Sequence, residues 1–598
     1  MDSCFRRNDD LSSFRRDKGL ILTNEFMAIM MQQTTAVIRR EIPSLQSHNM
    51  RIAHEGQLKR SWPVAPDEFF RIFKDEPLSL EVEFLEAHPS PQVRLYTNLL
   101  GTADEWSEIE FSRNLSGQFS LSLAPPRCGI FLFKIKHSPD GGKTWYWDRI
   151  PFSKVIVDPA GAKDIRMYTL IPNVSGHVGD WTCALDHIRD LGFNTVHLLP
   201  VTKMDFSESP YAAEDLFSID PSFLNPADSR GGLDQFEDFV RAAREKGIRL
   251  CLDLVMNHVG ISSLMAARCP EWIVADKNEQ NGLLRAGCWH MNKWIKWGDL
   301  CSIHYDHPEP LIKQELWAYM KQYALFWAHY AAHTGGMIRL DNLHSSHPEF
   351  IADLIHTLRL TYPDLIIQAE FFSDSNTLLK TTSKCEMNLL LADPWEQPFA
   401  EALREYLLYL HAISTKLRFL TPITTHDTSS PAQLYGSPDA AATRYFTLAL
   451  FATGQMGMVQ GMEHGVREKI NFIGRKRAIS FPTPNRYNTV IRKVNQLLQN
   501  HALFHEGGNI RFVDQGHGAL MAAVREGRKT PEEKFLLVSN LDTGHPHKIK
   551  MELSGIRQKN RNCLLHEMIK DEKIELESDL LEMEVEPCGI RAYRIENR

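Results

Sequence analysis

A regular alternation of short apolar runs and long amphipathic stretches fills residues 160 to 500 and limits the folds open to this chain. The runs RMYTLI (166–171), NTVHLLPV (194–201) and IRLCLDLVMNH (248–258) have the composition of buried parallel strands, and helical spacing lies between them. Further strand candidates follow in order, namely MIRLD, LIIQAEFF, MNLLLADP, LRFLTPITTHD and QMGMVQGME. These make eight strands, the number of a closed (β/α)8 TIM barrel, so we predict an α/β chain built on that barrel.

Two β-rich regions flank the alternating part. Before residue 160, runs such as LSLEVEFLEA and GIFLFKIKHS are separated by Pro, Gly, Asp and Asn, which predicts a small antiparallel β-sandwich. Near the C-terminus, runs such as FLLVSNLD and IRAYRI predict an antiparallel β domain. The predicted division is a disordered leader (1–47), the β-sandwich (48–160), the catalytic barrel (161–503) with an insertion at about 259–308, and the C-terminal β domain (504–598).

Composition and charge exclude several classes of partner. The 598 residues are 43% hydrophobic and 24% charged with a formal net charge of −8, so we expect neither nucleic acid nor a membrane as partner. No apolar stretch reaches the length that spans a bilayer. Ten scattered cysteines without a C-x-x-C pair indicate reduced thiols and a cytoplasmic protein.

The N-terminal residues allow one alternative localisation. Arginine pairs and serines in MDSCFRRNDDLSSFRRDKGL suit an organelle transit peptide, but the four aspartates argue against one. Met27 is an alternative start, in which case the leader is an extension of the gene model. The oligomeric state is left open.

Polar side chains lie at the C-terminal ends of several predicted strands, although polar groups are unfavourable in the packed interior of a barrel. In a (β/α)8 barrel these ends converge on the face that carries active sites. The residues are Asp253, Asn257, His258, Arg339, Asp341, Glu370, His426 and Asp427.

The carboxyl groups of Asp341 and Glu370 suit retaining glycoside chemistry. Strand alternation places Arg339 and Asp341 on one face, and an adjacent guanidinium keeps a nucleophilic carboxylate ionised. Glu370, in IIQAEFF, has apolar sequence neighbours that predict a raised pKa and a protonated acid. Retaining enzymes hold two such carboxyls ~5 to 5.5 Å apart. Taken alone, Arg339 and Asp341 equally suit a buried structural ion pair.

Four motifs in order, DLVMNH, GMIRLD, the Glu of QAEFF and THD, resemble the α-amylase clan, glycoside hydrolase family thirteen. The resemblance covers about residues 160 to 500 and implies a covalent glycosyl-enzyme on an α-glucan such as glycogen or maltodextrin. It implies that Asp341 is the nucleophile, that Glu370 is the general acid and base, and that Asp427 is a third carboxylate that holds sugar hydroxyls.

The same resemblance assigns the substrate-binding residues. Arg339 orients the nucleophile, and His258 and His426 bind the glucose at the cleavage point. Tyr211, in SPYAAEDLFSIDP, matches a sugar-stacking tyrosine, and Asp253 braces the end of the third strand.

More narrowly, RLDNLHSS resembles the 4-α-glucanotransferase half of glycogen debranching enzymes and, less closely, phosphate-using maltosyltransferases. It places His344 among the substrate-binding residues, whereas many plain amylases have Lys-His three and four residues after the nucleophile. The chain is too short for the second, glucosidase half, so only the transferase half is expected. An intracellular α-amylase-type hydrolase and an inactive glucan-binding scaffold stay as alternatives.

Metal sites and aromatic platforms have weaker signals. We predict no metal ligands, although His344 and His347 at i and i+3 would suit a metal, and Asn257 matches a calcium-binding position in many amylases. The tryptophans of CWHMNKWIKWGDL, namely Trp289, Trp294 and Trp297, suit either a glucan-stacking platform or the small core of the insertion. No cofactor is expected, with calcium kept as an alternative.

Overall fold

A computed structural model describes residues 50–52, 58–62, 68–101, 105–279, 281–290, 293–475, 479–481, 487–514, 518–554, 556, 563–576 and 578–597. The predicted leader, residues 1–47, lies outside them. No helix in the described ranges has both the length and the apolar character needed to cross a bilayer.

The N-terminal region forms a two-sheet sandwich. One sheet has the strands β1 (Met50–Ile52), β3 (Phe69–Phe73), β5 (Gln92–Thr97), β6 (Ser107–Glu110), β9 (Gly129–Ser138), β10 (Trp145–Trp147) and β11 (Ser153–Asp158). The other has β2 (Leu58–Arg60), β4 (Leu78–Phe84), β7 (Ser112–Arg113) and β8 (Phe119–Leu123). Side chains of both sheets, among them Val82, Leu95 and Phe133, form one buried cluster.

The predicted sandwich is confirmed, but the prediction that it is purely antiparallel is wrong. β11 runs parallel to β3, and β1 runs parallel to β10. A long connection separates β3 from β11, so no tight turn imposes an antiparallel pairing on them.

Eight parallel strands close into a barrel in the order in which they follow along the chain, which confirms the predicted TIM barrel. They are β12 (Arg166–Leu170), β13 (Thr195–Leu198), β16 (Arg249–Val255), β20 (Met337–Asp341), β21 (Ile366–Ala369), β22 (Leu389–Leu391), β23 (Phe419–Pro422) and β24 (Met456–Val459). Every one lies within a run that the sequence predicts as a strand.

Helices cover the outside of the barrel with their apolar faces. In the long helix between β19 and β20, spacing predicts one apolar face of five residues; Leu316, Met320, Ala324 and Trp327 are buried, and Ile312 is half-buried. The helices are α1 (Val178–Asp190), α2 (Gly232–Glu245), α3 (Leu264–Arg268), α4 (Pro310–His333), α5 (Pro348–Thr361), α6 (Ser375–Thr382), α7 (Ala400–Ile413), α8 (Pro431–Tyr435), α9 (Ala440–Phe451) and α10 (Asn488–Asn500).

Two small sheets rise from the loops at the C-terminal ends of the barrel strands. The hairpin of β14 (Thr202–Met204) and β15 (Ala213–Ile219) follows the second barrel strand. The predicted insertion after the third barrel strand contains a three-stranded sheet of β17 (His258–Gly260), β18 (Arg285–His290) and β19 (Lys293–Ser302).

The C-terminal region is antiparallel throughout its described pairings, as predicted. Its strands are β25 (Ile510–Phe512), β26 (Leu520–Glu526), β27 (Lys534–Asn540), β28 (His547–Glu552), β29 (Cys563–Glu567), β30 (Glu572–Leu576), β31 (Leu580–Val585) and β32 (Ile590–Asn597). The buried Arg525 guanidinium donates to the carbonyls of Leu450 and Ala452 and so attaches this region to the barrel helices. The exact domain boundaries stay predictions.

Candidate active site

The register between neighbouring barrel strands brings the predicted strand-end residues together. Asp253 of β16 lies opposite Arg339 of β20, and Arg339 lies opposite Gln368 of β21. Strand alternation keeps Arg339 and Asp341 on the same face of β20. Three adjacent strands therefore present polar side chains at one end of the barrel.

The guanidinium of Arg339 binds three carboxylates at once. Its Nη1 lies 2.6 Å from Asp253 Oδ2 and 3.0 Å from Asp341 Oδ1, and its Nη2 lies 2.8 Å from Glu370 Oε2. The side chain of Arg339 is 3% exposed, so these ion pairs are poorly screened by water. One fixed cation thus orients both carboxyls that the sequence assigns to catalysis.

The pKa of Asp341 differs from the prediction. Burial raises the pKa of this carboxyl well above its ordinary value, Arg339 opposes that effect, and the carboxylates of Glu370, Asp253 and Asp427 add to it. The expectation that Arg339 keeps Asp341 simply ionised is therefore wrong, because one guanidinium is shared among several buried carboxylates.

The surroundings of Glu370 also differ from the prediction, because they are polar rather than apolar. Besides the ion pair with Arg339, Glu370 Oε2 accepts the backbone N–H of Asn342 at 3.0 Å. Asn342 has φ of 43°, a left-handed conformation that turns the chain directly after Asp341. The backbone N–H of Leu343 donates to the Glu370 carbonyl at 2.8 Å. These bonds fix the end of β20 against the residue that follows β21.

Tyr211, His426 and Asp427 form a second hydrogen-bonded group beside Arg339. Tyr211 lies in the loop between β14 and β15, and its hydroxyl donates to Asp253 Oδ2 at 2.9 Å. His426 Nε2 lies 2.7 Å from that hydroxyl and 3.0 Å from Asp427 Oδ2. Since the Tyr211 proton goes to Asp253, the proton between Tyr211 and His426 belongs to His426 Nε2.

Asp427 combines a water-exposed side chain with a stabilised charge. Its side chain is 52% exposed. Although desolvation raises the pKa of Asp427, the adjacent His426 with its hydrogen bond, and then the positive charge of Arg339, outweigh it and lower the pKa below its ordinary value. An ionised carboxylate open on one side can accept hydrogen bonds from sugar hydroxyls.

His258 is buried with both ring nitrogens lacking a hydrogen bond of good geometry to any described residue. Burial lowers its pKa to about 4, so the ring is neutral at pH 7. The ring of Trp297, from the insertion, packs edge-on against it at 5.6 Å between centroids. Buried polar atoms without protein partners are uncommon and suit a site that a ligand hydroxyl completes.

His344, like His258, is a predicted site residue that the structure does not bring into the hydrogen-bonded groups around Arg339. It is exposed, in the turn Leu343–Ser345 after β20, with its ring 6.3 Å from that of Phe372. His347 Nδ1 accepts the N–H of Phe350 and so caps helix α5. That cap favours the structural interpretation of His347 over the metal pair.

Three residues of the site were missed from the sequence. His197 Nε2 lies 3.1 Å from Asp253 Oδ2, Lys469 Nζ donates to the Asp427 carbonyl at 2.5 Å, and the Phe472 ring packs edge-on against His426 at 5.2 Å. A histidine inside the apolar run NTVHLLPV was a usable signal. Lys469 and Phe472 lie in an irregular segment after β24, where no periodicity marks them.

The structure does not decide whether the tryptophans of the insertion stack on glucan or whether Asn257 binds calcium. Of the three tryptophans, Trp297 contacts His258 and a small apolar cluster, Trp294 is 42% exposed, and the side chain of Trp289 lies outside the described part. Asn257 Oδ1 is buried without a hydrogen bond, but no group of three described carboxylate or histidine side chains surrounds it. Calcium, which takes six or more oxygen ligands, enters no step below.

Sequence comparison finds relatives among α-glucan enzymes. A family model described as the glucanotransferase domain of glycogen debranching enzyme matches residues 160–279. An alpha-1,4-glucan:maltose-1-phosphate maltosyltransferase of Arcanobacterium haemolyticum is 24% identical over 436 residues, which are 65% of this chain and 60% of that protein. An intracellular maltogenic amylase of Bacillus subtilis is 35% identical over 94 residues, 16% of this chain and 14% of that protein. The match to the first of these relatives spans 60% of its length.

Solved structures share the fold at low sequence identity. An α-amylase from Geobacillus thermoleovorans superposes with a TM-score of 0.57 and 17% identity, over 73% of this chain and 98% of that chain. A debranching enzyme from Nostoc punctiforme gives 0.54 and 16% over 73% of this chain and 99% of that chain. A cyclomaltodextrinase gives 0.57 and 16%, over 89% of this chain and 98% of that chain.

Proposed function

We propose that this chain is an enzyme of the α-amylase family, namely a retaining 4-α-glucanotransferase of glycogen or maltodextrin. It breaks an α-1,4 link through a covalent glycosyl-enzyme and passes the glycosyl group to the hydroxyl of another glucan. One observation carries the proposal: a single buried guanidinium, that of Arg339, contacts both the carboxyl proposed as nucleophile and the carboxyl proposed as acid.

In the first step, an Asp341 oxygen attacks the anomeric carbon while Glu370 gives its proton to the departing glycosidic oxygen. The C–O bond to the leaving sugar breaks as the bond to Asp341 forms, so the proton and the electron pair both leave with the released glucan. Burial raises the pKa of Asp341, and the step requires that Asp341 is ionised and that Glu370 carries a proton when the donor is bound.

In the second step, Glu370 removes the proton of an acceptor hydroxyl, and the acceptor oxygen displaces Asp341 from the anomeric carbon. Two inversions give net retention of the α configuration. Asp427, ionised and half exposed, accepts hydrogen bonds from hydroxyls of the distorted sugar, and the Tyr211–His426 pair orients it. His258 supplies a buried ring whose nitrogens make no hydrogen bond of good geometry to a described residue.

Two alternatives use the same intermediate. If water resolves it, the protein is an α-amylase-type hydrolase, and the match to the maltogenic amylase favours that reaction. If the donor is a maltosyl phosphate, the protein extends glucans with release of phosphate, and the matches to two maltosyltransferases favour that reaction. Transfer and hydrolysis differ in whether a sugar hydroxyl or water reaches the anomeric carbon, whereas the phosphate-using reaction differs in the donor.

The deciding experiment is a product ladder. Purified protein is incubated with maltoheptaose, the products are separated by chain length over time, and reducing ends are counted in parallel. We expect longer and shorter chains to appear together at a constant number of reducing ends. Shorter chains alone, with rising reducing ends, would replace transfer by hydrolysis.

A second donor distinguishes the remaining alternative. With maltose 1-phosphate and a glucan primer, release of phosphate in step with chain extension would establish the phosphate-using reaction instead. The Asp341→Asn variant, purified and incubated in the same way, measures the activity of any contaminating amylases, which is then subtracted.

A glucan partner and a cytoplasmic location complete the proposal. The relatives named above act, by their names, on glucans or maltose derivatives. Every cysteine in the described ranges is a free thiol, as suits a reducing compartment. The N-terminal sandwich suggests an additional glucan-binding surface by family analogy only.

A further inference from the structure

A triad of metal-ligating side chains lies outside the proposed active site, between the first and last strand–helix units of the barrel. It consists of His187 in helix α1 and of Glu463 and His464 in the turn Met462–His464 that follows β24. Their nearest ligand atoms all lie within 4.8 Å of one another. We propose that this His–Glu–His triad binds a zinc ion, independently of the proposed function.

The distances suit a shared metal better than hydrogen bonds. His187 Nε2 lies 3.5 Å and His464 Nε2 lies 3.6 Å from the same oxygen, Glu463 Oε1. A hydrogen bond would bring each pair to about 2.9 Å. Two ligands of a tetrahedral zinc, each at about 2.0–2.2 Å from the ion, stand about 3.4 Å apart. His187 Nε2 is buried and makes no hydrogen bond to a described residue, so its lone pair is free for a metal.

Charge supports the same assignment. The Glu463 side chain is 1% exposed, and among the described residues no lysine or arginine forms an ion pair with it. A buried carboxylate without a cation is costly, and a divalent ion supplies that charge. Two histidines and one carboxylate are a ligand set of zinc sites that keep a fourth position for water.

Further hydrogen bonds hold the carboxylate of Glu463 in place. The Tyr168 hydroxyl donates to Oε1 at 2.6 Å, and the backbone N–H of Gly461 donates to Oε2 at 2.9 Å. Such outer bonds orient a ligating carboxylate and raise metal affinity. The ion can enter from solvent, because the His187 side chain is 35% exposed and that of His464 is 12% exposed.

Zinc at the triad would join helix α1 to the segment after β24. That segment continues to Lys469 and Phe472, which contact Asp427 and His426. The ion therefore has a structural role: it links the first and last strand–helix units of the barrel and restricts the motion of the segment that carries Lys469 and Phe472.

The test is a zinc titration of the metal-stripped full-length protein against a chromophoric chelator. We expect one tight equivalent in the wild type, a fall in affinity of at least about 100-fold in His187→Gln and in Glu463→Gln, and a zinc-dependent rise in melting temperature that both variants lose. Substitution by Co²⁺ should give the intense visible bands of a tetrahedral site.

The matched control is His333→Gln. His329 and His333, one turn apart on helix α4 with ring centroids 4.2 Å apart, are an exposed histidine pair that could bind zinc adventitiously. The control should keep the tight equivalent. Absence of a tight equivalent in the wild type, its persistence in His187→Gln, or its loss in His333→Gln would each overturn the proposal. His187 is partly exposed, so its variant is expected to fold even if Glu463→Gln does not.

Discussion

The two ends of the barrel use the same strands for opposite purposes. At the end where the strands begin, Cys251 and Met337 join a fully apolar cluster with Ile366 and Leu389. Two residues further along, on the same strand faces, Cys251 gives way to Asp253 and Met337 gives way to Arg339 and then Asp341. The apolar core and the network of charges are therefore adjacent layers of side chains, two residues apart along each strand.

The apolar layer supports the charged end of the barrel. A guanidinium shared by three carboxylates needs fixed positions, since small displacements change each ion pair strongly where water is excluded. The apolar layer beneath supplies a close-packed base with low compressibility. Substitutions at the charged end should therefore affect chemistry first, and those at the apolar end should affect stability first.

The largest effect is expected at the charged end. Asp341→Asn keeps the shape and burial of the side chain but removes the nucleophile, so turnover of maltoheptaose should fall at least about 10⁴-fold. Circular dichroism and the melting temperature should show an intact fold. Retention of more than a tenth of the activity would contradict the mechanism.

At the apolar end we expect the reverse. Met337 is fully buried, and Met337→Ala should lower the free energy of unfolding by about 2–5 kcal/mol through a cavity. The kcat of the molecules that remain folded should stay close to that of the wild type. Met337→Leu, which conserves volume, is the control and should cost less than about 1.5 kcal/mol in urea unfolding. A large loss of kcat with unchanged stability would contradict the expectation that substitutions at the apolar end affect stability before chemistry.

The smallest effect is expected from Tyr211→Phe, which removes the hydroxyl between Asp253 and His426 and keeps the ring. A hydrogen bond to a charged group is worth about 1.5–3 kcal/mol, so kcat/KM should fall about 10- to 100-fold. Tyr330→Phe removes a hydroxyl from helix α4, outside the proposed site, and serves as control. Equal rates for the two variants would remove the proposed role of Tyr211.

Most of the fold was predictable because burial leaves local periodicity in the sequence. All eight barrel strands follow from apolar runs, helices α1, α2 and α4 follow from helical spacing, and His258, Arg339, Asp341, Glu370 and His426 follow from polar residues at strand ends. The parallel pairing of β11 with β3 was not predictable, since it joins strands far apart along the chain. Lys469 was missed for the same reason, because its contact with Asp427 crosses from one loop to another.

Local patterns along the chain are enough to predict the barrel, the order of its strands and the residue types at their ends, because each is encoded within a few neighbouring residues. The sharing of the Arg339 charge among Asp253, Asp341 and Glu370, which changes the expected pKa of the nucleophile, arises only when distant parts of the chain come together. Folding also brings His187 beside Glu463 and His464, far away in the sequence. Electrostatic energies and metal geometry depend on distances between groups, and those distances exist only after the chain has folded.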